Sequence, residues 1–333
     1  MIERGFEVSI AASGSSLFLL QNEFPDLKFF KIRGYQVQYS YKKRFLPLKI
    51  LLQLPKILLT IRHENRWLKK LLEKDPFDLI ISDNRFGFYH KKVPSVFMTH
   101  QLLIYNRKAW LRNWMQSINY RYINRFSFCW VPDLSQQPGF AGILSHPDNK
   151  PGIPVYYLGP LSRFWGEKNQ APVQKKYKLC FLLSGPEPQR SMLEARILEL
   201  APSLEGRLLL LRAKPGAEPL PPVAPNLEVI NHLPTNEMKE KMLQSEFVLS
   251  RAGYTTIMEL ASLNIRGILI PTPGQTEQEY LAQHLMQNRW FYCFNQEQDL
   301  KRQIELALSF NYNQITFSAG FPAVLNGFFE EVF

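Results

Sequence analysis

Cysteine is scarce. The 333 residues hold three, Cys129, Cys180 and Cys293, far apart and in no CxxC pair. That excludes a disulfide framework and a zinc ribbon, and a reducing cytoplasm is the simplest setting. Long hydrophobic runs are also lacking: the longest strongly apolar stretch, Ile50 to Leu59, is cut by Pro55 and Lys56 and lies between Lys49 and Arg62. A membrane span needs ~20 apolar residues, so none is expected. The first residues carry Glu3 and Arg4 and lead into a strand pattern, which is not how a signal peptide reads. There is no collagen-like glycine period, no internal repeat and no low-complexity tract, although Lys214 to Pro225 is proline-rich and reads as a surface loop. With 45% hydrophobic and 21% charged residues, disorder and fibre are excluded as well. The length suits two globular domains.

Negative charge is short in the first half only. Residues 1–150 carry 23 Lys and Arg against 11 Asp and Glu, whereas residues 151–333 carry 17 against 18. All of the formal +11 therefore comes from the first half, which predicts an anionic partner there. From Tyr41 to Leu72, Lys42, Lys43, Arg44, Lys49, Lys56 and Arg62 are interleaved with Leu46, Leu48, Leu51, Leu58 and Leu59. Such a segment is either a core helix with a solvated basic face or an amphipathic segment lying on anionic lipid. A second cluster, Arg107, Lys108, Trp110, Arg112, Trp114, Arg121 and Tyr122, places interfacial aromatics beside cations and favours lipid. Nucleic acid would use the same charges, but no recognisable nucleic-acid-binding motif accompanies them.

Short β-rich runs alternate with helical patterns. In the second half the strands are expected at Lys178 to Leu183, Arg207 to Arg212, Asn226 to Ile230, Phe247 to Ser250, Gly267 to Ile270 and Trp290 to Phe294. Helices fall between or after them at Arg190 to Leu200, Asn236 to Gln244, Thr255 to Leu263, Glu277 to Gln287 and Gln298 to Leu308. The first half repeats the grammar, with strands near Glu7 to Ala11, Leu27 to Lys31, Phe77 to Ser82, Ser95 to Thr99, Phe128 to Val131 and Val155 to Leu158. Alternation at this spacing predicts α/β architecture with parallel sheets, two doubly wound Rossmann-like domains facing each other across a cleft. The expected boundaries are 1–158 for the basic N-terminal domain, 159–176 for a linker rich in Gly and Pro, 177–310 for the C-terminal domain, and 311–333 for a tail packing back toward the N-terminal domain. A doubly wound domain usually opens with a strand and a glycine-rich turn. Here Met1 to Gly5 reads as the tail of the first helix, so about one strand, turn and helix are expected to be missing.

The most specific segments are SRAGYTTIMEL, Ser250 to Leu260, and IPTPGQTEQEYLA, Ile270 to Ala282. Ser250, Arg251, Ala252 and Gly253 end a strand and open a helix, where small residues let backbone N–H groups approach a phosphate and the helix end favours its charge. Glu259, on the helix that follows, offers a carboxylate to neighbouring ribose hydroxyls. After the next strand, Pro271 to Gln275 forms a second loop, and Thr276, Glu277 and Gln278 open a helix aimed into the same crevice.

These residues resemble the UDP-sugar-dependent glycosyltransferases of the GT-B fold, specifically the family 28 type, similar to the lipid II-forming UDP-N-acetylglucosamine transferase of peptidoglycan synthesis. Ser250, Arg251, Gly253, Glu259, Pro271, Gln275 and Gln278 match the donor motif, and SDNRFG (Ser82 to Gly87) and THQ (Thr99 to Gln101) extend it loosely into the first half. The resemblance implies that 1–158 faces the acceptor and the membrane and 177–310 holds the donor, that Glu259 binds the uridine ribose, that Ser250 to Gly253 face the donor phosphates or sugar, that Gln275 and Gln278 face the sugar with Thr276 and Glu277 between them in the donor site, and that the backbone at His232 and Leu233 holds the uracil edge. It implies inversion at the anomeric carbon without a metal or other cofactor, an acceptor that is lipid-linked or part of the cell envelope, and a place at the inner face of the cytoplasmic membrane. Two departures stand out. The phosphate-facing loop is SGPEPQR, Ser184 to Arg190, where only Ser184 and Gly185 keep the small residues needed for close approach. The family's N-terminal glycine-rich loop would lie upstream of Met1, so the 333-residue chain is expected to bind donor but to transfer sugar weakly. The proton acceptor then falls to His100 or Asp83, both at strand ends, where a rim residue or a helix cap is the plainer role. Arg163, in the linker, is a candidate phosphate contact. Two other readings remain: a UDP-sugar 2-epimerase on the same fold, and a non-catalytic nucleotide-sugar-binding subunit at the membrane.

Overall fold

The computed structural model describes residues 1–34, 46–106, 108–164, 173–214, 223–316 and 321–332. They divide into two compact units, one of Met1–Met98 with Arg125–Phe128 and the other of Thr99–Asn124 with Cys129–Phe333. Lys42, Lys43, Arg44, Arg107 and much of the expected linker and proline-rich loop lie outside the described residues.

In the first unit, β1 (Ser9–Ala12) is joined through α1 (Gly14–Glu23) to β2 (Lys28–Lys31), and the two strands pair in parallel from Ser9 opposite Lys28. The long α2 (Leu46–Leu72) follows, containing Pro55, and leads to β3 (Ile80–Asp83) and β4 (Ser95–Met98), again parallel. Helix α2 is amphipathic: Ile61 and Leu68 are buried, and Leu68 packs with Ile80, Phe88 and Trp67. Leu59, on the opposite side, and Leu58, on the flank, are exposed. Its buried Glu64 pairs with Arg85, whose guanidinium also donates to the Arg33 carbonyl at 2.6 Å and lies over the Phe88 ring. Asn65 donates to the carbonyls of Gly87 and Tyr89, so the SDNRFG turn is bound to α2 by polar groups as well as by packing.

The second unit opens with α3 (Ala109–Ile123), then β5 (Phe128–Val131), whose Cys129, Trp130 and Val131 pair in parallel with β6 (Val155–Tyr157). The strands β7 (Tyr177–Leu182), β8 (Leu208–Leu211), β9 (Leu227–Ile230), β10 (Ser245–Arg251), β11 (Arg266–Ile270) and β12 (Tyr292–Cys293) form one parallel sheet ordered β12-β11-β10-β7-β8-β9. Between and after them run α4 (Gln189–Leu200), α5 (Thr235–Leu243), α6 (Tyr254–Ser262), α7 (Thr276–Gln287) and α8 (Leu300–Leu308). Every expected strand and helix of this half is present, with ends displaced by a few residues. The sheet is covered on both faces: Cys180, Leu182, Leu209 and Leu211 join one apolar cluster, and their neighbours Leu179, Phe181, Leu208 and Leu210 join the other. That alternation explains why β8 is four leucines in a row, since a strand buried on both sides has no polar face to signal.

Three helices were not expected from the sequence pattern: α1, α3 and a terminal α9 (Phe321–Val332). Phe328 of α9 sits edge-on to Trp130 of β5 and to Tyr156 of β6, and the Tyr156 hydroxyl donates to Glu331.

Gly267 on β11 is required by close approach. A Cβ there would lie 2.5 Å from Phe291 Cδ1 and 2.9 Å from Leu260 Cδ1, and both side chains are fully buried. Gly267→Ala is expected to cost about 1–3 kcal/mol in urea unfolding through overpacking. Gly327→Ala, in α9 with open space at its Cβ, should instead be neutral or slightly stabilising.

Candidate functional site

The strand order reverses beside β7: β8 and β9 run out on one side, β10, β11 and β12 on the other. The loops leaving β7 and β10 therefore part to opposite faces, and the gap between their carboxyl ends is where an open α/β sheet binds ligands. Three helices begin at this edge, α4 after β7, α6 after β10 and α7 after β11; Glu187 caps α4 by accepting from the Ser191 N–H at 3.2 Å, whereas α6 and α7 have no side-chain cap. The first N–H groups of α6 and α7 remain available to an anion. Gly185, in the loop before α4, takes φ +95, which only glycine adopts readily, and the Cβ position of Gly253, the N-cap of α6, meets nothing within 4 Å.

Around these helix ends the sequence-selected residues fall into three groups. Ser250, Arg251 and Ala252 are buried beneath the surface, Ser250 Oγ donating to the Arg251 carbonyl at 3.1 Å. What this segment presents outward is the glycine and the helix end. Arg251 donates through Nη2 to the Gln189 carbonyl at 2.7 Å, at the start of α4, while its Nε and Nη1 find no partner among the described residues. Burial, together with the nearby Arg196, lowers its pKa to about 10. Behind the Ser184 to Arg190 loop, Arg190 binds Glu194 at 3.0 Å and the Arg212 carbonyl at 3.2 Å, and Glu194 in turn pairs with Arg212. This buried network braces the loop that lacks the expected glycines; its only trace in sequence is the i, i+4 spacing of Arg190 and Glu194.

The second group is Glu259 with Arg163. Glu259 is 5% exposed, and Arg163 Nε donates to its Oε1 at 2.8 Å. Burial pushes the carboxyl pKa up, and the guanidinium partly opposes that rise. Arg163 also lies 3.4 Å from Thr235 Oγ1 at the start of α5, so a single cation spans α6 and α5. His232 is exposed just after β9, and Leu233 packs on the core beside it.

The third group was not foreseen as a group. His100, after β4 in chain order, places Nε2 2.7 Å from Glu277 Oε1 and stacks on Tyr254, ring centroids 4.1 Å apart at 6°. The Tyr254 hydroxyl donates to the Pro132 carbonyl at 2.9 Å. Next to Glu277, the Gln278 side chain accepts from Thr272 N–H at 2.8 Å and Glu279 from Gly274 N–H at 3.1 Å, so both pin the loop ending at Gln275, the N-cap of α7, while Thr276 stays exposed. Asp83 ends β3 in the first unit, ahead of Asn84 at φ 53. Among the described residues, no three His, Cys, Asp or Glu side chains gather as a metal site.

Comparison with known proteins agrees with this geometry. Residues 208–316 match the glycosyltransferase family 28 C-terminal domain. No curated protein matches the chain by sequence. The structure of CalG4, the calicheamicin glycosyltransferase, aligns at 14% identity with TM-score 0.62 over 98% of this chain and 86% of its own. Arabidopsis thaliana UGT89C1, complexed with UDP-L-rhamnose, aligns at 12% with TM-score 0.57 over 99% and 88%. The spinosyn rhamnosyltransferase SpnG, complexed with thymidine diphosphate, aligns at 15% with TM-score 0.54 over 99% and 90%. The chain has the α/β fold of the GT-B glycosyltransferases.

The Glu259 pair carries a pH signature. A carboxyl whose pKa is raised by folding favours the folded state below its unfolded pKa and loses that contribution as pH rises through the folded value. Arg163→Ala takes away the opposing cation and raises the folded value further. The variant is expected to lose about 1–2 kcal/mol at around pH 7.5 and much less near pH 4.5. Urea unfolding at both pH values checks this; an equal loss at the two would show that the contact is packing alone.

Proposed function

We propose that the chain is a glycosyltransferase that moves a sugar, N-acetylglucosamine in the first instance, from a UDP donor to a hydroxyl acceptor, with inversion and without metal. The observation that carries this reading is the pair of uncapped helix N-termini, of α6 and α7, at the reversal of strand order, with the buried Glu259 carboxylate on α6. In such a transfer the acceptor oxygen bonds to the anomeric carbon, the bond from that carbon to the diphosphate breaks, and the electron pair leaves with UDP. Helix ends and N–H donors meet the charge that grows on the diphosphate. His100 or Asp83 takes the acceptor proton.

The fold is shared by proteins crystallised with UDP-L-rhamnose and with thymidine diphosphate, so within this proposal the choice of ribose rests on Glu259 and the choice of base on the backbone at His232 and Leu233. A carboxylate that accepts from both ribose hydroxyls selects ribonucleotides, because thymidine diphosphate lacks the 2′-hydroxyl. Calorimetry is expected to rank UDP above thymidine diphosphate, ADP and GDP. Glu259→Ala should weaken UDP by about 1.5–3 kcal/mol. Equal affinity for all four nucleotides, or no change in the variant, would sink the assignment.

A lipid-linked or cell-envelope acceptor is the second element of the proposal. On α3, Trp110, Trp114 and Ile118 are 69%, 53% and 39% exposed, and their spacing of four puts them on one face beside the exposed Lys108 and Arg121. No helix among the described residues is long and apolar enough to cross a membrane. An aromatic face flanked by cations suits the surface of an anionic bilayer. Sedimentation with phosphatidylglycerol vesicles should fall as salt rises, and the double variant Trp110→Ser, Trp114→Ser should sediment several-fold less. Binding unchanged by either would place lipid contact elsewhere or nowhere.

A further inference from the structure

We propose that His100, Glu277 and Tyr254 form one unit in which His100 Nδ1 is the proton-accepting atom and the other two residues hold it in that state. The proposal deepens the sugar-transfer reading and rests on it. Nε2 of His100 is 2.7 Å from Glu277 Oε1. An ionised carboxylate has only lone pairs to offer, so the hydrogen of this contact belongs to Nε2, and the lone pair of the neutral ring is left on Nδ1. Glu277 stands in the first turn of α7, where the positive helix end favours its negative charge. The hydrogen bond fixes the ring within its plane; the stack on Tyr254, at 4.1 Å and 6°, fixes the plane itself.

Tyr254 is a suitable platform because it is immobile and uncharged. It is 5% exposed, its hydroxyl is anchored on the Pro132 carbonyl, and burial pushes its pKa well up. The groups that face the imidazole are thus Glu277 from α7, Tyr254 from α6, and the Gln101 amide nitrogen, 3.4 Å from Nε2, which as a second donor makes no hydrogen bond to an Nε2–H. The buried Asp133 stands behind, beside the Tyr254 hydroxyl. His100 keeps 22% of its side-chain surface, so the ring is held without being sealed.

In the transfer, the acceptor O–H bond breaks and its proton passes to Nδ1. The oxygen's electron pair forms the new bond to the anomeric carbon, and the pair of the broken carbon–oxygen bond departs with UDP. The imidazolium so formed carries its charge against the Glu277 carboxylate, which stays ionised. Glu277 and Tyr254 are positioning residues; His100 alone touches the reacting hydroxyl. This assigns Glu277 to the base instead of to the donor sugar.

Histidine-selective 15N NMR on the full chain reads the tautomer directly, and His100→Gln identifies its signals among the six histidines. Expected is a neutral His100 protonated at Nε2, retained in Tyr254→Phe, which keeps the ring, and replaced by a tautomer mixture in Glu277→Gln. Release of UDP from UDP-N-acetylglucosamine, with water as acceptor, should fall ~10²–10⁴-fold in His100→Gln and on the order of tenfold or more in Glu277→Gln. UDP affinity by calorimetry should stay within about twofold of the unaltered chain in both. A ring protonated at Nδ1, or a Glu277→Gln spectrum and rate like those of the unaltered chain, overturns the proposal. An unaltered chain that takes up no UDP defeats the donor reading instead, and the two failures are told apart because the tautomer is measured without nucleotide.

Discussion

Everything at the candidate site depends on where the parallel sheet reverses its order. A strand buried on both faces must be apolar along its middle, as the four leucines of β8 and Phe247 to Leu249 of β10 are, and such strands offer polar groups toward their ends, as β10 does at Ser250 and Arg251. The reversal between β7 and β10 sends consecutive loops apart, so the carboxyl edge becomes a crevice floored by helix N-termini. Backbone N–H groups at that edge are free to meet an anion without charged side chains.

The charges that do occur beneath that edge are buried at a cost. Among the described residues, Arg251 has two guanidinium nitrogens without partners, and Glu259 keeps its carboxylate in a nearly dry position against the Arg163 cation. Neither is the choice that stability alone would make, since an apolar residue of similar volume avoids the desolvation penalty. Destabilised polar groups of this kind collect at functional sites, and here both lie on one strand and helix, β10 and α6. The Arg190, Glu194 and Arg212 network shows the complementary solution: three buried charges that satisfy one another and stiffen a loop.

The first unit follows another logic. Its turn of Ser82 to Gly87 is held to α2 by the Glu64–Arg85 pair and by Asn65, while α2 leaves Leu58 on its flank and Leu59 on its opposite side exposed. In the second unit α3 does the same with its two tryptophans. Apolar exposure beside cations is costly in water and useful at an anionic surface, and this is the physical ground on which a bilayer surface is proposed for them.

The sequence alone determined the alternation of strands and helices in the second unit, because hydrophobic period and breaker residues are local properties, and it marked Ser250 to Gly253, Glu259 and the Gln275 to Gln278 segment because small residues at a strand end have a local cause. It left α1 and α3 unmarked: each exposes large apolar residues, Phe18 and Leu19 on one and Trp110 and Trp114 on the other, and so lacks the clean amphipathic period that identifies a helix. Only the tertiary structure decided which marked residues meet. His100 and Glu277 are 177 positions apart, and Arg163 and Glu259 are 96 apart. No periodicity links such positions. Their contact follows from strand order, which is set by packing of the whole sheet, and that packing is also what buries Arg251, turns Glu259 toward Arg163 and lays His100 flat on Tyr254.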